Sequence, residues 1–140
     1  MSARRICDAG PLVALLSERD RYHRWAKEAF ARIAPPVLTC EIVLAEACHL
    51  LRGRANGQAA LLVLLSTGGI AIEFSLADEL SAVRRLVARY QDRPMSLADA
   101  CLVRMSELVD DSSVITLDED FHVYRRNGRQ VIPLISPAMG

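Results

Sequence analysis

Apolar residues fall along this chain in two alternating patterns: brief uninterrupted clusters, and longer stretches in which they recur at helical spacing. Arg4 to Asp8 reads as a short strand, closed by Ala9-Gly10-Pro11. Pro11 suits a helix's first turn, where its missing N–H costs nothing, and Leu12, Val13, Leu15 and Leu16 continue that helix. Asp20 is placed to cap a second helix carrying Trp25, Ala29, Phe30 and Ile33. Pro35-Pro36 stops it, and Val37-Leu38 is a brief buried strand. Thr39 then reads as the N-cap of a helix through Leu51, ended by Arg52-Gly53. Gln58 to Leu65 is another apolar helix, stopped by Gly68-Gly69, and Ile70 to Phe74 is a strand. Leu76 to Tyr90 is amphipathic, with Leu80, Val83, Leu86 and Val87 expected inward. Ser96 caps a helix from Leu97 to Val109. Val114 to Leu117 is a strand, Glu119 to Arg125 a short helical turn, and Val131 to Ile135 a last strand.

Short apolar strands separated by helices predict an α/β fold whose parallel sheet is covered on both faces. Neither an internal repeat nor a linker interrupts the pattern, so residues 1–140 are expected to form a single domain. A chain of 140 residues is long enough to bury a core without disulfides or a structural metal. In open sheets of this kind ligands bind beyond the carboxyl ends of the strands, which is where chemistry should be sought.

Composition narrows the classes. With 51% hydrophobic and 24% charged residues the chain is neither disordered nor low in complexity. Seventeen cations balance seventeen anions, so any nucleic-acid or membrane binding must come from a local patch. Lys27 is the only lysine, and the other cations are arginines; a genome rich in G and C produces that bias, and so does a need for bidentate phosphate contacts. The longest apolar run, Ala59 to Leu65, is far short of the ~20 residues needed to span a bilayer. No apolar stretch follows Arg4 and Arg5 in the manner of a secretory leader, so a cytoplasmic protein is expected. Cys7, Cys40, Cys48 and Cys101 form no C-x-x-C pair and read as buried reduced thiols, the alternative being a zinc site from Cys40, Cys48 and His49.

The acidic residues carry the chemistry. Asp8 follows the first strand and Asp118 the strand Val114–Leu117, so both sit at carboxyl ends of strands, on the same edge. Asp99 lies in the first turn of a helix that begins near that edge, where it is also the third residue of a capping box with Ser96. Glu46 interrupts Ile42-Val43-Leu44-Ala45 and Ala47-Cys48, with no Lys or Arg between Pro35 and Leu51. A carboxylate in such surroundings is costly unless it is paired, hydrogen-bonded or bound to a cation. Singly, Asp8 could end a strand and Asp118 could cap a turn. Together the four are hard oxygen ligands suited to Mg²⁺ or Mn²⁺, and divalent cations in such sites orient and deprotonate water for phosphoryl chemistry. With no G-x-x-x-x-G-K-[ST] phosphate loop, phosphodiester hydrolysis fits better than kinase-like transfer.

Asp8-Ala9-Gly10-Pro11-Leu12-Val13-Ala14-Leu15-Leu16 resembles the opening of a PIN-domain ribonuclease. So do Glu46 in the third helix, Met95-Ser96-Leu97-Ala98-Asp99-Ala100, and Ile115-Thr116-Leu117-Asp118-Glu119-Asp120-Phe121. Order and spacing match over nearly the whole chain, and the small size resembles the VapC-type toxins of toxin–antitoxin pairs. The resemblance implies a three-layer α/β/α fold around a mostly parallel sheet and a Mg²⁺- or Mn²⁺-dependent endoribonuclease. It implies that Asp8, Glu46, Asp99 and Asp118 are the catalytic and metal-binding acids. Thr116 corresponds to a hydroxyl that helps order the site, and Asp120 is an accessory acid. It further implies an RNA substrate, a cognate antitoxin and a homodimer. Ala9-Gly10 departs from the pattern, since many members carry hydroxyl or amide residues just after the first acid.

Arg125, Arg126 and Arg129 follow the last acid closely and are candidates to grip RNA phosphates; the alternative is a solvated basic turn. His23, His49 and His122 have no partner spacing suggesting catalysis, and His49 reads as packing. Tyr22 and Trp25 read as core or as part of an antitoxin-gripping surface. Two other functions share the pattern: a housekeeping RNA-processing nuclease without antitoxin, and a non-catalytic PIN-like binding module. A receiver domain needs an early acid pair and a late lysine, and a haloacid-dehalogenase-like phosphatase needs D-x-D at the first strand; this chain has neither.

Overall fold

The computed structural model describes residues 3–137. In chain order the elements are β1 (Arg4–Cys7), α1 (Ala9–Leu16), α2 (His23–Ala31), β2 (Val37–Thr39), α3 (Glu41–Leu50), α4 (Gly57–Ser66), β3 (Ile70–Ile72), α5 (Leu80–Arg89) and α6 (Leu97–Leu108). They continue with β4 (Ser112–Ile115), a 3-10 turn (Glu119–His122), β5 (Arg125–Arg126), β6 (Gln130–Val131) and β7 (Leu134–Ile135). The main sheet has the order β3-β2-β1-β4-β7 with every neighbouring pair parallel. Ile6 sits between Leu38 and Val114 in register, and Cys7 is opposite Ile115. β5 and β6 form a separate antiparallel hairpin.

The strand order explains the layers. The chain steps outward from β1 to β2 to β3, then returns across the sheet to β4 on β1's other side. Because parallel crossovers are right-handed, α1–α4 cover one face and α5–α6 the other, giving the three layers expected. The step direction reverses between β1 and β4, and the crevice beyond their carboxyl ends is the switch point of the sheet. The core is built on Ile6, Leu12, Leu38, Val43, Leu61, Leu102, Ile115 and Phe121, all fully buried.

Several boundaries differ from the sequence reading for local reasons. The N-cap of α3 is Cys40, not Thr39, whose hydroxyl instead donates to the Cys7 carbonyl at 3.1 Å. Asp20 does not cap α2 directly: it accepts from the backbone of Tyr22, the actual N-cap. The helix expected from Leu76 starts as turns and becomes helical only at Leu80. Within it Val83 and Leu86 are buried, whereas Leu80 and Val87 are exposed. Val131 to Ile135 is two strands, because Pro133 has no N–H to continue the ladder. His49 is exposed rather than packed, and Trp25 is half-buried against the core. All four cysteines are free, with Cys7, Cys40 and Cys101 buried and Cys48 partly so. Among the described residues no helix is long and apolar enough to cross a membrane.

Candidate active site

The crevice at the switch point is built from the two strand exits after β1 and β4 and from two helices, α3 and α6. Asp8 is the first residue past β1, and each of its carboxylate oxygens accepts one hydrogen bond. Oδ1 accepts from the Ala9 N–H at 2.7 Å, capping α1, and Oδ2 accepts from the Thr116 hydroxyl at 2.8 Å. Thr116, just past β4, then accepts the Asp118 N–H at 3.0 Å. One hydroxyl therefore ties the ends of β1 and β4 together. Asp118 caps the 3-10 turn by accepting from the Asp120 N–H at 2.9 Å. Asp99 arrives from the opposite layer as the third residue of α6, inside a capping box with Ser96. The capping reading of Asp99 is observed directly.

Glu46 completes the set from α3. The sequence suggested a carboxylate hemmed in by apolar groups, but its side chain is exposed, on a helix face that also leaves Ala45 and Leu50 open. The apolar residues around it in sequence are not around it in space.

The electrostatics bind the four acids into one unit. Burial pushes the Asp8 carboxyl up to about 6, against the lowering effect of its Thr116 and Ala9 hydrogen bonds and with help from the charges of Asp99 and Glu46. Burial also raises Asp99, opposed by the Tyr124 hydroxyl and reinforced by Asp118. Glu46 is raised by partial burial, then by Asp99 and Asp118. Asp8, Asp99 and Glu46 thus each feel the charge of at least one other acid of the four, and among the described residues none of the four forms an ion pair. Clustered carboxylates with no cationic partner call for positive charge from outside. Hard oxygens are also the donors that Mg²⁺ or Mn²⁺ takes. No group of three His, Cys, Asp or Glu side chains among the described residues closes to metal-holding distance. The same observation gives no support to a zinc site at Cys40, Cys48 and His49. The donor chemistry, four carboxylates without a cationic partner among the described residues, fits a divalent cation. Each Asp8 oxygen accepts one protein donor and keeps a further lone pair.

The accessory residues separate. Asp120 pairs with Arg93 at 3.0 Å, at the exposed rim. Arg125 folds back to donate through Nη1 to the carbonyls of His122, Val123 and Tyr124 at 2.8 to 3.1 Å. Arg126 reaches the Ser106 carbonyl at 3.4 Å, with its Nε buried and unpartnered. Arg129 is exposed. Of the three arginines proposed to grip phosphate, only Arg129 has its guanidinium uncommitted among the described hydrogen bonds. Ala9-Gly10 also finds its reason: a Cβ on Gly10 would lie 3.2 Å from Leu117 Cδ1, so the small residue lets α1 start close against the β4 exit. Asp8 is held by Thr116 and the Ala9 backbone, without side-chain hydroxyls at positions 9 and 10.

Sequence reasoning missed Tyr124. It is fully buried, and its hydroxyl donates to Asp99 Oδ2 at 3.0 Å. The signal available was a tyrosine six residues after Asp118 in an otherwise basic turn, and a buried tyrosine hydroxyl requires a partner.

Comparison with known proteins agrees with this picture. Ribonuclease VapC26 of Mycobacterium tuberculosis is 29% identical over 115 residues, covering 81% of this chain and 85% of that protein. The crystal structure of Mycobacterium tuberculosis VapC20, described as a sarcin-ricin loop cleaving toxin, superposes with a TM-score of 0.76 at 23% identity, over 85% of this chain and 93% of that one. A toxin–antitoxin complex from Klebsiella pneumoniae superposes with a TM-score of 0.66 at 22% identity, over 98% of each chain. The two structures bear on the fold. The PIN domain family model matches residues 5–127, a span running from β1 to the end of β5 and including all four acids. This chain belongs to the PIN domain family.

Proposed function

We propose that the chain is an endoribonuclease that hydrolyses RNA phosphodiester bonds with Mg²⁺ or Mn²⁺, and that it acts as the toxin of a toxin–antitoxin pair in the cytoplasm. The observation that carries the reading is the convergence of Asp8, Glu46, Asp99 and Asp118 at the switch point, with mutual repulsion and no cationic partner among the described residues. The relatives named as VapC ribonuclease and toxin support it, as does the likeness to a toxin–antitoxin complex.

In this reading Asp8, Asp99 and Asp118 would hold the cation, and Glu46 would join them as ligand or base. A bound divalent cation supplies the positive charge that activates water and neutralises the phosphate. Thr116 fixes Asp8 relative to Asp118, so the two strand-end acids keep a constant separation. Glu46, exposed and with its carboxyl held above the usual range, is the acid free to take a proton from the attacking water. Arg129 is the arginine best placed to meet an RNA phosphate, and Asp120 keeps Arg93 at the rim. Exposed Leu50, Leu62 and Val63, each more than half open, supply apolar surface for an antitoxin or for a second copy in a homodimer.

The test is incubation of the purified chain, free of partners, with a mixed RNA pool and Mg²⁺ or Mn²⁺, beside an EDTA control and Asp8→Asn. Cleavage that requires the cation and disappears in Asp8→Asn is expected. Cleavage that survives Asp8→Asn, or neither cleavage nor cation binding by calorimetry, would refute the reading.

A further inference from the structure

The 3-10 turn after β4 presents Asp118. The segment that follows it also delivers a tyrosine hydroxyl into the core, and that hydroxyl meets an acid on α6. Tyr124 is among the largest fully buried side chains, and its hydroxyl donates to Asp99 Oδ2 at 3.0 Å. The other donor to the same oxygen, the Ser96 N–H, stands at 3.4 Å, so the tyrosine makes the shorter contact. Among the described hydrogen bonds Asp99 Oδ1 has none.

A carboxylate can rotate about its last torsion through a broad, two-fold well. Two donors on one oxygen restrict that rotation and leave the other oxygen free of protein donors among the described hydrogen bonds. The tyrosine itself cannot swing. Its ring meets Tyr90 edge-on at 5.1 Å and Phe121 edge-on at 5.2 Å. Its backbone N–H donates to the Asp120 carbonyl at 3.1 Å, and the next residue, Arg125, donates its N–H to the Tyr90 hydroxyl at 2.9 Å. The donor therefore reaches Asp99 from a fixed point, anchored by Tyr90 and by the turn that carries Asp118.

We propose that Tyr124 is a positioning residue of the active site: its hydroxyl holds Asp99 Oδ2 inward and so presents Oδ1 to the cation shared with Asp8, Glu46 and Asp118. The inference rests on the cation-dependent reading above. Tyr124 touches neither RNA nor water in this role; it acts only through Asp99. Outer-shell donors of this kind commonly change metal affinity or activity by about 10–100-fold when removed.

The experiment compares Tyr124→Phe with wild type and with Ser106→Ala, using Mn²⁺ alone as the calorimetric probe. Tyr124→Phe keeps the ring and both edge contacts and removes only the oxygen. Ser106→Ala removes a buried hydroxyl from α6 that donates to the Val103 carbonyl and touches no acid, so it controls for packing. The expected result is Mn²⁺ affinity weakened about 10–100-fold in Tyr124→Phe and unchanged in Ser106→Ala. Cleavage should fall through kcat rather than KM for RNA, and melting temperatures in EDTA should show both variants folded. Mn²⁺ affinity within about twofold of wild type in Tyr124→Phe would overturn the inference and leave the nuclease reading intact. Equal losses in both variants would also overturn it, since packing would then be the cause. Wild type that binds no Mn²⁺ would overturn the metal-site reading and this inference with it.

Discussion

Replacing Asp8 by Asn should abolish cleavage and, in the absence of metal, make the protein more stable. Burial lifts the Asp8 carboxyl from 3.8 to about 6. A shift of about 2 pH units corresponds to about 3 kcal/mol of preference for the neutral form. The sign follows from linkage. Below pH 3.8 the group is protonated in both folded and unfolded chains and contributes nothing. Between 3.8 and about 6 the unfolded chain ionises first, so folded stability falls as pH rises. Above about 6 the full cost is present. Asparagine is neutral throughout, so it escapes that cost, but it loses the carboxylate that accepts the Thr116 hydroxyl, worth about 1 kcal/mol. The net gain at pH 7.5 is about 2 kcal/mol, or roughly 5–10 °C in Tm for a domain of this length. Thermal melts of both proteins in EDTA from pH 4 to 8 would test it. The gap between them should open from pH 4 to 6 and then level off. Adding Mn²⁺ should raise the melting point of wild type by mass action and leave Asp8→Asn almost unmoved. A gap equal at pH 4 and pH 7.5, or a destabilised variant at pH 7.5, would refute the electrostatic argument.

Further outcomes follow from the same geometry. Glu46→Gln should lower cleavage by about 10²-fold or more while changing stability by less than about 0.5 kcal/mol, because the side chain is exposed; kinetics and melts on one preparation check both. Thr116→Val removes a donor to Asp8 and an acceptor for the Asp118 N–H. It should cost about 1–3 kcal/mol in denaturant melts. Because the Thr116 bond lowers the Asp8 carboxyl, its loss should also move the acidic limb of the pH–rate profile to higher pH. Ser96→Ala breaks the capping box of α6 and should cost about 1 kcal/mol, read as a lower melting point. Arg125→Ala should lower stability without altering the salt dependence of RNA binding, since its guanidinium serves backbone carbonyls. Arg129→Ala should reduce the log–log salt slope by about 1.

Much of this molecule is legible in one dimension. Alternating short apolar strands and helical stretches fix the fold class, since β-branched and aliphatic clusters of three or four residues can be buried only within a sheet covered on both faces. The positions of Asp8, Asp99 and Asp118 follow as well, because strand ends and helix first turns are local features, marked by the residues before and after them. Ser96 announces its own cap by spacing alone. Harder to read are the turns and the short strands near the chain's end, where Pro133 splits one apolar run into two elements belonging to different sheets.

Three properties came only from packing. Glu46 sits in an apolar stretch of sequence yet on an open face, because which side of α3 is covered depends on helices distant in the chain. The arginines of the last basic turn look interchangeable until their reach is known; Arg125 ends on carbonyls of its own turn and Arg126 on one from α6. Tyr124 gains its meaning from Asp99, a residue 25 positions away on α6. Local pattern determines which element a residue occupies, because backbone propensity and periodicity act over a few residues. Burial, charge partners and hydrogen bonds between layers depend on contacts distant in sequence. The shared electrostatics of the four acids belong to that second class.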